Sequence, residues 1–291
     1  MTSKIGFIGL GVMGEPICRN LAQKSGGSVI AFDLAAEPMQ RLANFGVKSA
    51  SSIAEVMQAS DVIFMSLPSG EVVHQLCHAA DGLLANARRG QIIVDLSTSP
   101  VDTTRLLAQE FETKGVTFVD SPVARTRAAA ESGTLAIMVG ATPETLERLR
   151  SLLSTFASDI ALCGPVGCGQ VVKILNNMVL FETVVAMSEA KAIAERSGVN
   201  VDVLFNTLMT GSADSFAIRN HGMKAIVPGD FPERAFSVKY ARKDLTYALK
   251  LAAETKVDAR SAQVVDQWFA QAIDQGLGEQ YHPVISRLIG S

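Results

Sequence analysis

Near its start the chain leaves little choice of fold. Lys4 to Ile8 is a short apolar run, Gly9-Leu10-Gly11-Val12-Met13-Gly14 follows it directly, and Pro16 to Lys24 has helical patterning. In a strand–loop–helix context this spacing gives each glycine a task. Gly9 permits the tight turn, Gly11 lets a pyrophosphate approach the backbone, and Gly14 lets helix and strand pack closely. The helix N-terminus then offers N–H groups and a positive dipole end to the ligand. A ligand-free glycine turn shows the same letters, so a second feature is needed. Asp33 supplies it: it ends the next strand, about 20 residues on, where a carboxylate accepts from the adenosine ribose hydroxyls. A carboxylate there repels a 2′-phosphate, and Leu34-Ala35-Ala36 brings no arginine to bind one. The cofactor expected is NAD in preference to NADP.

The rest of the first half repeats that rhythm. Strands are expected at Ser28 to Phe32, Val62 to Met65, Gln91 to Val94, Val116 to Val119, Leu135 to Val139 and Asp159 to Leu162. Helices are expected at Met39 to Asn44, Glu71 to His78, Thr103 to Lys114 and Pro143 to Phe156. Alternation of this kind builds a mainly parallel, doubly wound sheet. The pattern changes after Gly164 to Gly169. From Gln170 to Arg196 there is no Pro or Gly and apolar residues fall on nearly every face, the mark of a long buried helix of about 40 Å. Val201 to Thr210, Ser215 to Ile226, Ser237 to Thr255 and Ser261 to Gln275 read as further helices. The expectation is an α/β Rossmann-type domain over 1–163 and an all-α domain over 164–291, with an interdomain helix over 168–196.

Composition removes several classes. With 48% hydrophobic and 19% charged residues the 291-residue chain is globular. A net charge of −3 without a Lys/Arg run argues against nucleic acid as partner. No uninterrupted run approaches the ~20 apolar residues of a membrane span, and the glycine-broken segment Ile5 to Met13 lacks a small-x-small cleavage site, so no export signal is expected. Cys18, Cys77, Cys163 and Cys168 have no paired spacing, which suits free thiols in a cytoplasmic protein. His74, Cys77 and His78 share one expected helix without a fourth ligand, so no metal site is expected. No Gly-x-Ser-x-Gly elbow is present.

Lys173 stands out chemically. It falls among Val171, Val172, Ile174 and Leu175, where an unpaired ammonium is costly. Asn176 and Asn177 follow at three and four positions, on the same helical face. An ion pair or a snorkelling side chain is the plain explanation. The functional one is proton transfer: carbonyl reduction by hydride needs an acid at the developing alkoxide, and the reverse reaction needs a base at the hydroxyl. Burial, and the positive ring of the oxidised cofactor, both favour the neutral amine.

These residues together resemble the β-hydroxyacid dehydrogenase family, which includes 3-hydroxyisobutyrate dehydrogenase and tartronate semialdehyde reductase. The likeness runs through Gly6 to Gly14, Val94 to Thr98, Asp120-Ser121-Pro122-Val123, Gly133-Thr134-Leu135, Gly167 to Asn177 and Lys243-Asp244-Leu245. The resemblance implies a cleft active site between a Rossmann and a helical domain, Lys173 as general acid/base and Asn177 orienting the substrate oxygen, with Asn176 as a second contact. It further implies Leu67 and Pro68 at the adenosine half, Thr98 near the nicotinamide ribose, Lys243 closing over cofactor and substrate, and a homodimer or homotetramer.

One segment departs from the pattern. Family members continue Asp-x-Pro-Val with Ser-Gly-Gly, which holds the substrate carboxylate; here Ala124-Arg125-Thr126 stands in its place. An arginine offers charge-assisted bonds to an anion, and Gly-Arg-Thr marks the similar 3-sulfolactaldehyde reductases. The expected substrate is therefore a small anionic hydroxy acid contacted by Ala124, Arg125 and Thr126. Reduction of 3-sulfolactaldehyde or of succinic semialdehyde to 4-hydroxybutyrate is the alternative. Imine reduction is a rival that Lys173 opposes, and a non-catalytic NAD-binding sensor is a rival that has no use for Lys173 and Asn177.

Overall fold

The structure is a computed structural model that describes residues 4–233 and 235–290; the outermost positions of the two expected domains, 1–3 and 291, lie outside the described residues. Two compact units are found, Met1–Lys173 and Ile174–Ser291.

In the first unit nine strands form one sheet: β1 (Lys4–Ile8), β2 (Ser28–Phe32), β3 (Lys48–Ser49), β4 (Val62–Met65), β5 (Ile92–Asp95), β6 (Thr117–Asp120), β7 (Val123–Ala124), β8 (Leu135–Gly140) and β9 (Ala157–Gly164). The order is β3-β2-β1-β4-β5-β6-β8-β7, with β9 on β8. From β3 to β6 every pairing is parallel, and β6 and β7 run antiparallel to β8. The first six strands reproduce the order of dinucleotide-binding sheets. Their side chains alternate between two cores, as the two-residue strand period requires. Phe64, Val94 and Val119 join one apolar cluster with Ile17, Leu21 and Phe156. Ile63, Met65, Ile93 and Phe118 join another with Val56, Val73 and Phe111.

The helices covering these faces are α1 (Gly14–Lys24), α2 (Ala36–Ala43), α3 (Ile53–Ala59), α4 (Gly70–His78), α5 (Leu83–Asn86), α6 (Val101–Thr113), α7 (Arg127–Ser132) and α8 (Pro143–Leu153). Side-chain caps start several of them: Ser52, Ser69 and Thr142 accept from Glu55 N, Val72 N and Thr145 N. β3, β7, α3, α5 and α7 are not among the expected elements, being too short to display a period.

α9 (Cys168–Arg196) carries the division between the units. It is not uniformly buried as expected: Val172, Leu175, Val179 and Ile193 are exposed while Ile174, Phe181 and Val184 are buried. By length and composition it is also apolar enough to cross a membrane, contrary to the expectation that no segment is. Counting uninterrupted apolar residues overlooked how widely its charges are spaced. Its buried faces nevertheless contain Gln170, Asn177 and Ser188, each with hydrogen-bond partners inside its own unit.

The second unit continues with α10 (Val201–Leu208), α11 (Val238–Glu254) and α12 (Arg260–Asp274). Phe181, Phe205, Leu245, Val265, Phe269 and Ile285 are in its core. Ile218–Ile226 is a π-helix rather than the ordinary helix expected. Val227 N and Asp230 N donate five residues back, to Gly222 O and Ala225 O.

Candidate active site

Parallel strands place their carboxyl ends on one edge of the sheet, and ligands of such sheets bind where the winding reverses, here between β1 and β4. Gly9 to Gly14 follow β1 at that edge, Asp33 follows β2, Leu67 and Pro68 follow β4, and Thr98 follows β5.

The glycine loop has the geometry that each glycine's task requires. Gly9 has φ +89°, and a Cβ there would lie 2.4 Å from Ser66 O. A Cβ at Gly14 would lie 2.0 Å from Gly9 O, so helix and strand meet backbone to backbone. At Gly11 a Cβ would meet nothing within 4 Å, which leaves room for a ligand beside the chain. No described side chain caps the first turn of α1, as an anion-binding helix start requires. Leu10 buries its side chain, Val12 is exposed and Met13 is half-buried. Asp33 accepts from Leu10 N through Oδ2 and from Ala35 N at 2.8 Å through Oδ1. Each oxygen keeps lone-pair capacity for a ribose hydroxyl. These residues fit a dinucleotide. Leu67 N donates to Ser97 Oγ at 2.9 Å, joining the loops after β4 and β5, while Pro68 is exposed and Thr98 half-buried.

Two carboxylates that the sequence reading did not assign lie beneath this edge. Asp95 and Asp120 are register partners ending β5 and β6, and both are fully buried. Burial pushes Asp95 up to about 7 against the pull of its hydrogen bonds, and Asp120 up to about 6. Asp95 accepts from Ser97 N at 2.9 Å and Ser99 Oγ at 3.2 Å. Asp120 accepts from Gly167 N at 2.7 Å and Gln170 N at 2.8 Å, so it binds the start of α9 where backbone N–H groups lack helical partners. Gly140 and Gly169 make the space, since a Cβ on them would lie 2.1 Å and 2.8 Å from the Asp120 carboxylate. Both acids end apolar runs and fall in the segments Val94 to Thr98 and Asp120 to Val123 that carry the family likeness, signals that mark them without giving either a role.

Lys173 lies in α9, half-buried, one turn beyond Gln170. Ala124 closes β7, paired with Ala136 of β8. Arg125 has φ +87°, a left-handed conformation uncommon for a side-chain-bearing residue. Its guanidinium donates to Thr134 O at 2.7 Å and Ser158 Oγ at 2.9 Å, and pairs with Asp159 at 2.8 Å. The expected anion-binding arginine is thus already engaged by β9 and its neighbours. Thr126 is the N-cap residue of α7, without a capping side-chain bond.

Within the second unit, Asn177 is buried and donates through Nδ2 to Asp244 Oδ2 at 2.8 Å, while its Oδ1 accepts from Asn176 Nδ2 at 3.2 Å. Lys243 Nζ lies 3.0 Å from Asp244 Oδ1 and 4.0 Å from the Tyr240 ring centroid. Asp244, another residue the sequence reading did not assign, therefore holds two of the expected site residues with one carboxylate.

Comparison with known proteins accords with this geometry. Residues 4–164 match the family profile of the NAD binding domain of 6-phosphogluconate dehydrogenase. Residues 167–289 match that described as NAD-binding of NADP-dependent 3-hydroxyisobutyrate dehydrogenase. The chain is 34% identical over 277 residues to 2-(hydroxymethyl)glutarate dehydrogenase of Eubacterium barkeri, covering 95% of this chain and 91% of that protein. It is 31% identical to the mitochondrial 3-hydroxyisobutyrate dehydrogenase of Mus musculus, over 96% of this chain and 85% of that one. Among solved structures, 3-hydroxyisobutyrate dehydrogenase from Mycobacterium tuberculosis with L-serine superposes with a TM-score of 0.90 at 31% identity, covering 100% of both chains. With its sheet order, its glycine loop and its full-length relatives, the chain belongs to the β-hydroxyacid dehydrogenase family.

Proposed function

We propose that this protein is an NAD-dependent oxidoreductase that interconverts a small anionic β-hydroxy acid and its semialdehyde, with Lys173 as general acid/base. The relatives' names share one chemical unit: 2-(hydroxymethyl)glutarate and 3-hydroxyisobutyrate each carry a hydroxymethyl group on the carbon that bears a carboxylate. The observation that carries the reading is the anchoring of the first turn of α9, and with it Lys173, to the sheet edge that bears the glycine loop.

NAD, when bound, takes up or supplies the hydride. Gly9, Leu10, Gly11, Val12, Met13 and Gly14 hold its pyrophosphate, Asp33 its adenosine ribose, Leu67 and Pro68 its adenosine half, and Thr98 and Lys243 its nicotinamide side. Lys173 Nζ accepts the hydroxyl proton during oxidation and returns it to the carbonyl oxygen during reduction. Asn177 orients that oxygen, its amide fixed by Asp244 and Asn176. Ala124, Arg125, Thr126 and Asn176 meet the substrate's anionic end. Asp33, with Leu34-Ala35-Ala36 after it, favours NAD over NADP.

The alternative, a sulfonate or succinic semialdehyde held chiefly by Arg125, ranks second because Asp159, Ser158 and Thr134 already occupy that guanidinium. The test is a panel of 3-hydroxyisobutyrate, 2-(hydroxymethyl)glutarate, L-serine, 4-hydroxybutyrate and dihydroxypropanesulfonate with NAD and NADP, followed by nicotinamide absorbance, on wild type and K173A. The expected result is turnover of a hydroxymethyl carboxylate, reduced about 10²–10⁴-fold in K173A with NAD binding retained. Undiminished turnover in K173A overturns the reading.

A further inference from the structure

Gln170 is a fully buried amide, and both of its ends are used on one short piece of backbone. Nε2 donates to Ser97 O at 2.8 Å, and Oε1 accepts from Ser99 N at 3.0 Å. Those two groups flank Thr98, the residue read as facing the nicotinamide side. The backbone N–H of Gln170 is meanwhile held by Asp120. One residue thus links the turn after β5 to the first turn of α9, and Lys173 follows it by three positions on the helix.

We infer that Gln170 is a positioning residue for hydride and proton transfer: its side-chain amide fixes the offset between the Thr98 turn and Lys173, and so the placement of nicotinamide relative to the acid/base. The inference rests on the proposed role of Lys173. Gln170 itself touches no reacting atom in this scheme. A merely space-filling residue needs neither a donor nor an acceptor here, whereas Gln170 uses one of each. A leucine retains the bulk and loses both bonds. A glutamate keeps the acceptor for Ser99 N but, when ionised, turns an oxygen without a proton toward Ser97 O, close to the carboxylates of Asp95 and Asp120. Protonated, it regains the donor.

The test compares wild type, Q170L, Q170E and K173A as full-length proteins, using the panel member that wild type oxidises fastest, deuterated at its hydroxymethyl carbon. Q170L is expected to bind NAD about as tightly as wild type but to lose about 10²-fold in kcat, the sensitivity of such chemistry to a displacement near 1 Å. Its deuterium isotope effect on kcat should rise as hydride transfer becomes limiting. Q170E should recover toward wild type as pH is lowered, giving a pH profile that Q170L lacks. If Q170L melts below the assay temperature, Q170E carries the test alone. An unchanged kcat and isotope effect in Q170L, or a Q170E defect independent of pH, overturns the inference while K173A remains inactive. An active K173A instead overturns the role of Lys173, so the two failures are separable.

Discussion

Replacing His221 by phenylalanine should reverse its effect on stability with pH. His221 is buried in the second unit beside Phe216, Tyr281 and His282, and Lys224 opposes its protonation. Burial first, and Lys224 second, lower it to about 4 from the usual 6.5. A folded-state value below the unfolded one means that the stability is present above pH 6.5 and is lost as pH falls through that window toward 4. Worked through the linkage relation, wild type loses about 2.5 kcal/mol by pH 4.5 that H221F keeps. At pH 7 the variant forfeits only the hydrogen bond between His221 Nδ1 and the Tyr281 hydroxyl, about 1 kcal/mol. H221F should therefore be less stable by about 1 kcal/mol at neutral pH and more stable by about 1.5 kcal/mol at pH 4.5, crossing wild type near pH 6. Urea unfolding followed by fluorescence measures this, because the single tryptophan, Trp268, packs against the core of the same unit. Comparing two proteins at each pH removes the titrations they share; His282, lowered by burial and then by His221, loses the second of these in H221F, which adds to the variant's advantage in acid. A deficit that stays near 1 kcal/mol at pH 4.5 would refute the argument.

The glycine loop separates fold from ligand. G14A should be destabilised by roughly 1–3 kcal/mol, since its Cβ would meet the Gly9 carbonyl, whereas G11A should melt like wild type and bind NAD more weakly by titration. Asp33→Ala should weaken NAD more than NADP; equal losses by fluorescence titration contradict the ribose assignment. D95N keeps an acceptor for Ser97 N but cannot ionise. Because the Asp95 value is raised to about 7 by burial, wild type sheds stability as pH climbs from the ordinary carboxylate range through 7. D95N should gain on it over that range, and parallel stability curves would exclude a buried acid there.

How far the sequence could be read depended on whether a residue's environment repeats. β1, β2 and β4 were found at their observed bounds, because four or five apolar residues ending at a glycine or polar turn leave few alternatives. The length of α9 was legible from an absence of Pro and Gly, but its exposed stripe at Val172, Leu175 and Val179 was not, since covered and uncovered apolar faces read alike. The π-helix at Ile218–Ile226 escaped because hydrophobic spacing barely distinguishes a wider turn from an α-turn. Within it the backbone packs closely on α10, since a Cβ at Gly222 would lie 2.7 Å from the Phe205 ring. Around the site, the glycines announced themselves through local backbone demands. Asp120, Gln170 and Asp244 did not, because each acts on residues distant in sequence, at separations of 50, 73 and 67 residues for the bonds from Gln170 N to Asp120, from Gln170 Nε2 to Ser97 and from Asn177 to Asp244.

That last group explains why buried polar residues are tolerated in so apolar a chain. Asp120 alone in the first core would be a liability, but its acceptors meet N–H groups at Gly167 and Gln170 that the start of α9 leaves without helical partners. Each side therefore offsets the other's desolvation, and α9 is fixed at its first turn without a capping serine or threonine. Burial, which raises Asp95 and Asp120 against the pull of their hydrogen bonds, makes the first unit more favourable as pH falls, and the lowered value of His221 makes the second unit more favourable as pH rises. The two windows overlap on the acid side of neutrality, where a rise in pH costs the first unit stability and a fall costs the second. A fall in pH from 6.5 toward 4 should accordingly loosen the unit that contains Asn177 and Lys243, and a rise from 3.8 toward 7 the unit that contains the glycine loop, Thr98 and Lys173.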